Sequence, residues 1–86
     1  MRVTVVSPEQ QVFDGEATAV VAPAYDGLVG ILPRHAPFLT LLGKGDLIVR
    51  HGGAEAQHFE VAGGFLQVAG NRVRVVVEHA HAAATT

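Results

Sequence analysis

The chain has 86 residues, 49% apolar and 16% charged, against about 25% charged in an average soluble chain. That length holds one domain, and so few charges leave apolar surface for a partner to cover. The absence of cysteine excludes disulfides, thiolate nucleophiles and cysteine-based zinc sites, and a net charge of −2 with no basic run excludes sequence-independent nucleic-acid binding.

Arg2-Val3-Thr4-Val5 alternates polar and apolar residues and predicts a strand with both valines on one face. The same alternation leaves no continuous apolar stretch for a signal peptide. No later run approaches the ~18 apolar residues of a membrane span, so membrane association would pass through a partner. Ser7-Pro8 and Asp14-Gly15 read as turns, and residues 17–22 as a less cleanly alternating strand. Asp26-Gly27 opens the most distinctive segment, Asp26-Gly27-Leu28-Val29-Gly30-Ile31-Leu32-Pro33-Arg34-His35-Ala36-Pro37. Its glycines and prolines describe a stiff corner that presents a surface, with none of the residues of a phosphate loop or a catalytic triad.

Gly43-Lys44-Gly45-Asp46 reads as a turn, and the strand after it places Leu47 and Val49 on one face. Gly52-Gly53 predicts a tight hairpin into Gln57-His58-Phe59-Glu60-Val61, where Phe59 and Val61 face inward. Gly63-Gly64 is either a bulge or a bend where a strand changes sheets. Residues 65–68 form a further strand, joined through Gly70-Asn71 to Arg72-Val73-Arg74-Val75-Val76-Val77-Glu78, whose buried face is Val73, Val75 and Val77. His79-Ala80-His81-Ala82-Ala83-Ala84 is helical in composition but too short to stand alone, and reads as a frayed tail. The expected organisation is a β domain over residues 1–80 and a flexible tail over 81–86. Turn signals every 8–12 residues predict an all-β antiparallel sandwich or flattened barrel of about eight to ten short strands.

Little in this pattern supports catalysis. Gly43-Lys44 is followed by Gly45 where a phosphate loop needs Ser or Thr, and Phe38 stands where its first glycine belongs. The single serine, Ser7, precedes a proline and lacks the nucleophile-elbow glycines. His79 and His81 share a strand face and would both reach a metal, but no third ligand follows in sequence. Glu60 and Glu78 either approach one another across strands or simply belong to a solvated face, the plainer reading. His51 and His58 flank a hairpin. His35, bracketed by Pro33 and Pro37, either satisfies local backbone groups or makes a polar contact to a partner. No catalytic, metal, nucleotide or cofactor site is predicted, and the chain is not expected to be an enzyme.

Five segments, in order, carry a resemblance: Val5-Val6-Ser7-Pro8-Glu9-Gln10, Phe13-Asp14-Gly15-Glu16-Ala17, Val21-Ala22-Pro23, the segment from Asp26 to Pro37, and Val61-Ala62-Gly63-Gly64-Phe65-Leu66. The chain resembles the epsilon-subunit family of the rotary F-type ATP synthase, called delta in mitochondria. The resemblance implies an N-terminal β-sandwich of two five-stranded sheets, a flattened ten-stranded barrel. It also implies a non-catalytic place in the central stalk, on the cytoplasmic face of a bacterial plasma membrane. There the domain fastens the gamma subunit to the polar loops of the c-ring, so that proton-driven rotation reaches the catalytic sites of the alpha and beta subunits. Ser7, His35 and Thr40 stand where the family meets gamma. Asp26, Gly27 and Leu28 stand where it meets the ring.

The chain departs from the family in three places. Leu28 replaces an acidic residue, which leaves Asp26 as the nearest carboxylate to face the ring. Arg34 stands where glycine is common. The usual member continues into a C-terminal hairpin of two helices, linked with restraint of ATP hydrolysis and in some members with ATP binding; these 86 residues contain none, so hairpin-dependent inhibition is expected to be absent. The competing expectation is a β-sandwich interaction module with a different partner.

Overall fold

The computed structural model describes residues 1–52 and 56–82, the last two by backbone alone. Eight strands and no helix are found among them: β1 (Arg2–Val6), β2 (Gln11–Glu16), β3 (Ala19–Ala24), β4 (Gly27–Ile31), β5 (Phe38–Leu41), β6 (Lys44–Arg50), β7 (Gln57–Ala69) and β8 (Arg72–Ala82). They join in the order β2-β1-β8-β7-β6-β3-β4, with β5 also on β7.

The length of β7 dictates the architecture. Thirteen residues at about 3.3 Å each would span roughly 40 Å if straight, whereas the molecule extends 27 × 27 × 24 Å. The strand therefore bends, and it does so at Gly63 and Gly64, with φ of +73° and +121°. Before the bend β7 pairs with β6; after it, with β5. The β7–β8 register is the same on both sides, Ala62↔His79 and Gly64↔Val77, so the glycines mark a change of partner rather than a bulge.

Because β8 follows β7 around the bend, both strands serve two layers. One layer holds β2, β1, the first part of β8, the second part of β7 and β5; the other holds β4, β3, β6, the first part of β7 and the end of β8. The ten expected strands are thus eight, two of them counted twice. Val3, Val5, Val73, Val75, Leu66 and Val68 from the first layer meet Val20, Ala22, Ile31, Leu47, Val49 and Val61 from the second in one buried cluster. Burying each of the larger side chains contributes about 1.5–3 kcal/mol.

Several expectations are corrected. All ladders are antiparallel except β1–β8, which is parallel. Alternation tells which face of a strand is buried but not which neighbour it takes. Gly15 lies within β2, paired with Val3, rather than in a turn. The β5–β6 link is shorter than Gly43–Asp46, since β6 already begins at Lys44. β6 ends at Arg50 and β7 begins at Gln57, and Gly53 of the expected Gly52-Gly53 hairpin lies outside the described residues. Gly70 and Asn71, with φ of +55° and +59°, do make the predicted two-residue hairpin. The backbone runs as strand to Ala82, two residues past the expected boundary, because Ala80, His81 and Ala82 pair with Val61, Glu60 and Phe59. Tertiary pairing there overrides the helical composition. Residues 83–86 of the expected tail lie outside the described residues.

Candidate functional site

The β3–β4 hairpin closes with Tyr25 and Asp26 between the paired residues Ala24 and Gly27. Gly27 has φ of +134°, open to glycine and strained for other residues. The tip is tied to the end of β5: the Tyr25 N–H donates to the Leu41 carbonyl at 3.0 Å, and the Gly43 N–H to the Pro23 carbonyl at 2.8 Å. From this tie a groove of about 870 Å³ opens, walled by Tyr25, Asp26, Leu28 and Val29 on one side and by Phe38, Leu39, Thr40, Leu41 and Phe65 on the other.

The groove is apolar and open to solvent. Tyr25 is 70% exposed, Leu28 77%, Leu39 67% and Leu41 63%. Asp26 carries the only carboxylate among its described lining residues. Among the described residues both walls are edge strands, since β4 pairs only with β3 and β5 only with β7. An exposed apolar edge is a template for association unless something covers it.

The expected contact residues fall at separate places. Asp26, Leu28 and Thr40 share the groove. Ser7 lies outside it, in the β1–β2 turn, where its N–H and its hydroxyl both donate to the Gln10 carbonyl at 2.9 and 3.2 Å. His35 lies in the loop between β4 and β5. Its N–H donates to the Leu32 carbonyl at 3.2 Å, and its ring meets Phe38 edge-on at 5.6 Å. Its Nδ1 is 2.7 Å from the Ala36 carbonyl, which can only accept, so Nδ1 carries a proton and Nε2 remains for another contact. The ladders put Ser7 at the Val6–Val76 end of the first layer and His35 near the Gly70-Asn71 end. Ser7, His35 and Thr40 thus span the length of that layer without forming a cluster.

Arg34 has φ of +66°, which explains why glycine suits its position. Its N–H donates to Asn71 Oδ1 at 3.1 Å and ties the His35 loop to the β7–β8 hairpin.

Among the described residues the remaining candidates do not assemble a reactive centre. No polar or charged side chain is buried among the described residues. Glu60 and Glu78 are not cross-strand partners: Glu60 stands opposite Asp46 and His81, and Glu78 lies against Gly63. His79 lines a small depression with Lys44 and Glu60, while the side chain of His81 lies outside the described residues. Arg2 Nε donates to Asp14 Oδ1 at 2.8 Å, and this bond holds the Asp14 carboxyl below the usual carboxylate range. That pair lies on the far edge, in β1 and β2, away from the groove.

Tyr25, Leu39, Leu41 and Phe65 were not foreseen as contact residues. For Leu39 and Leu41 the signal was the run Phe38-Leu39-Thr40-Leu41-Leu42, which puts large apolar residues on both faces of one short strand. Only one face of an edge strand can reach the core.

The ATP synthase delta/epsilon chain β-sandwich domain family model matches residues 1–83. The chain is 42% identical over 80 residues to the ATP synthase epsilon chain of Alkalilimnicola ehrlichii, covering 93% of this chain and 57% of the relative. It is 45% identical over 84 residues to that of Desulforamulus reducens, covering 95% and 61%. The chain therefore spans about three-fifths of the length of these relatives. Its fold matches a chain of the Euglena gracilis mitochondrial ATP synthase, solved as an OSCP/F1/c-ring assembly, with a TM-score of 0.86 at 22% identity, covering 93% of this chain and 51% of that one. A second match is a chain in the central stalk and c-ring structure of the Tetrahymena thermophila mitochondrial ATP synthase, with a TM-score of 0.76 at 22% identity, covering 93% and 64%.

Proposed function

The chain belongs to the ATP synthase delta/epsilon β-sandwich family, and we propose that it acts as a non-catalytic subunit of the rotary central stalk, fastening gamma to the c-ring so that proton-driven rotation reaches the catalytic sites of other subunits. The observation that carries this reading is the exposed apolar groove between two edge strands, in a fold with no buried polar side chain among its described residues. Such a surface suits docking rather than bond chemistry.

In this role the hairpin tip meets the ring. The Asp26 carboxylate supplies the polar contact, while Leu28 packs where the family places an acid. Gly27 lets the tip turn without steric cost. The gamma contact uses Ser7, His35 and Thr40, spread along the first layer. Pro33 and Pro37 flank His35 and limit the entropy lost when its loop docks. No helix among the described residues is long and apolar enough to cross a membrane. Attachment to the cytoplasmic face of a bacterial membrane would then pass through the ring.

The test is assembly. The chain is expected to co-purify with gamma, and Asp26→Ala to lower the yield of the gamma-chain-ring complex and its proton-coupled ATP synthesis. Failure to bind gamma, or an Asp26→Ala variant with unchanged complex yield and coupling, contradicts the proposal.

A further inference from the structure

The groove exposes backbone as well as side chains. Leu42 N–H donates to the Gly64 carbonyl on β7, while the Leu41 carbonyl accepts from Tyr25. Successive residues of a strand direct their N–H and C=O groups to opposite edges. Leu42, Thr40 and Phe38 therefore face β7, and Leu41 and Leu39 face away from it. Tyr25 occupies the Leu41 carbonyl. Among the described residues, the Leu41 N–H and both backbone groups of Leu39 have no strand beside them, since β5 pairs there with β7 alone.

We propose that an extended segment of gamma adds as a strand to this free edge of β5. The inference rests on the rotor reading above and specifies how that contact is made. A helix bonds its own backbone, so laying one in the groove would bury the Leu39 and Leu41 groups unpaired, which is costly. An added strand satisfies them. The window is short: Pro37, just before β5, has no N–H to offer, and Tyr25 closes the other end. One residue of the incoming segment exchanges both bonds with Leu39. The side chains flanking it meet apolar neighbours on both faces, because residues from both faces of β5 line the groove. Asp26, the only carboxylate among the described lining residues, selects against an acidic segment.

The test is amide hydrogen exchange on the chain alone and in complex with gamma, with Leu39→Pro as the matching variant. That substitution removes an N–H that the β5–β7 ladder does not use. The Leu39 and Leu41 amides are expected to exchange rapidly in the free chain and to slow at least about tenfold in the complex. Leu39→Pro is expected to weaken gamma binding on the order of tenfold, the loss typical of one hydrogen bond. If Leu39→Pro lowers protection across the β7–β8 ladder and so disturbs the fold, the exchange measurement on the unmodified chain decides. A complex in which both amides exchange as fast as in the free chain overturns strand addition and leaves the rotor role standing. Absence of any complex overturns the rotor role, and strand addition with it.

Discussion

Gly64→Ala should come close to unfolding this domain. A Cβ on Gly64 would lie 2.0 Å from the Val76 carbonyl oxygen and 2.7 Å from the Val77 Cα, both backbone atoms in the middle of β8. To restore a 3.0 Å contact, β8 must retreat by about 1 Å, which breaks two or three ladder bonds worth about 0.5–1.5 kcal/mol each. The φ of +121° adds about 1–3 kcal/mol of strain for a non-glycine residue. The sum, roughly 2–7 kcal/mol, is a large part of the ~4–13 kcal/mol that a domain of this size holds. Gly63→Ala is the control. Its Cβ would meet only the Glu78 side chain at 3.2 Å, which can move, so the cost is about 1–2 kcal/mol for φ alone. Urea unfolding followed by circular dichroism measures both. The Gly64→Ala midpoint should fall by about 1.3 M or more if the slope is near 1.5 kcal/mol/M. A Gly64→Ala loss below about 1 kcal/mol, or no greater than that of Gly63→Ala, would refute the view that backbone contact at the bend requires glycine.

Arg34→Gly should raise the urea midpoint: the left-handed conformation costs arginine about 1–2 kcal/mol, and the greater unfolded-state freedom of glycine offsets about 0.4–1 of it. A lower midpoint would show that the Arg34 side chain stabilises the loop more than its backbone strains it. Asp14 has a folded pKa depressed by the Arg2 hydrogen bond, so its contribution is present above the unfolded value near ~4 and is lost as pH falls through the lowered folded value. Asp14→Asn should therefore flatten the acid limb of the stability profile below about pH 4, and an unchanged limb in pH-dependent urea titrations would count against the pair. Leu39→Ser with Leu41→Ser should alter the stability of the free chain by no more than about 0.5 kcal/mol per site while abolishing capture of gamma. Retained capture would place the contact outside the groove.

Where polar and apolar residues alternated cleanly, the sequence disclosed burial residue by residue. Val3 and Val5, Leu47 and Val49, Phe59 and Val61, and Val73, Val75 and Val77 all face the core as their alternation required. Neighbour choice was less legible. Nothing in Arg2-Val3-Thr4-Val5 distinguishes a parallel partner from an antiparallel one, because both bury the same face. His79 to Ala82 misled for a related reason: their helix-forming composition is a weak preference, and the ladder to β7 outweighs it. The hairpin tip at Asp26-Gly27 was visible through its turn residues. The opposite wall was not, since Phe38-Leu39-Thr40-Leu41 has no polar face by which to read its orientation. Only the exposure of Leu39 and Leu41 in the folded chain shows that these two point outward.

The two walls of the groove also explain how a chain of such low charge can carry a bare apolar edge. Open-ended strand addition needs a run of free backbone groups, typically about five or six residues. Here the Tyr25–Leu41 bond closes one end of β5, and Pro37 removes a donor just before the other. What remains is too short to hold a second copy by backbone bonds alone, so a binding segment must also fill the space between Leu28 and Leu39 with its side chains. Requiring both contacts together limits aggregation and sharpens partner choice. The hairpin tip that closes the window also carries Asp26 and Leu28. A partner seated on β5 would therefore brace the tip proposed to face the ring, giving force a direct route from one contact to the other through the Tyr25–Leu41 and Gly43–Pro23 bonds.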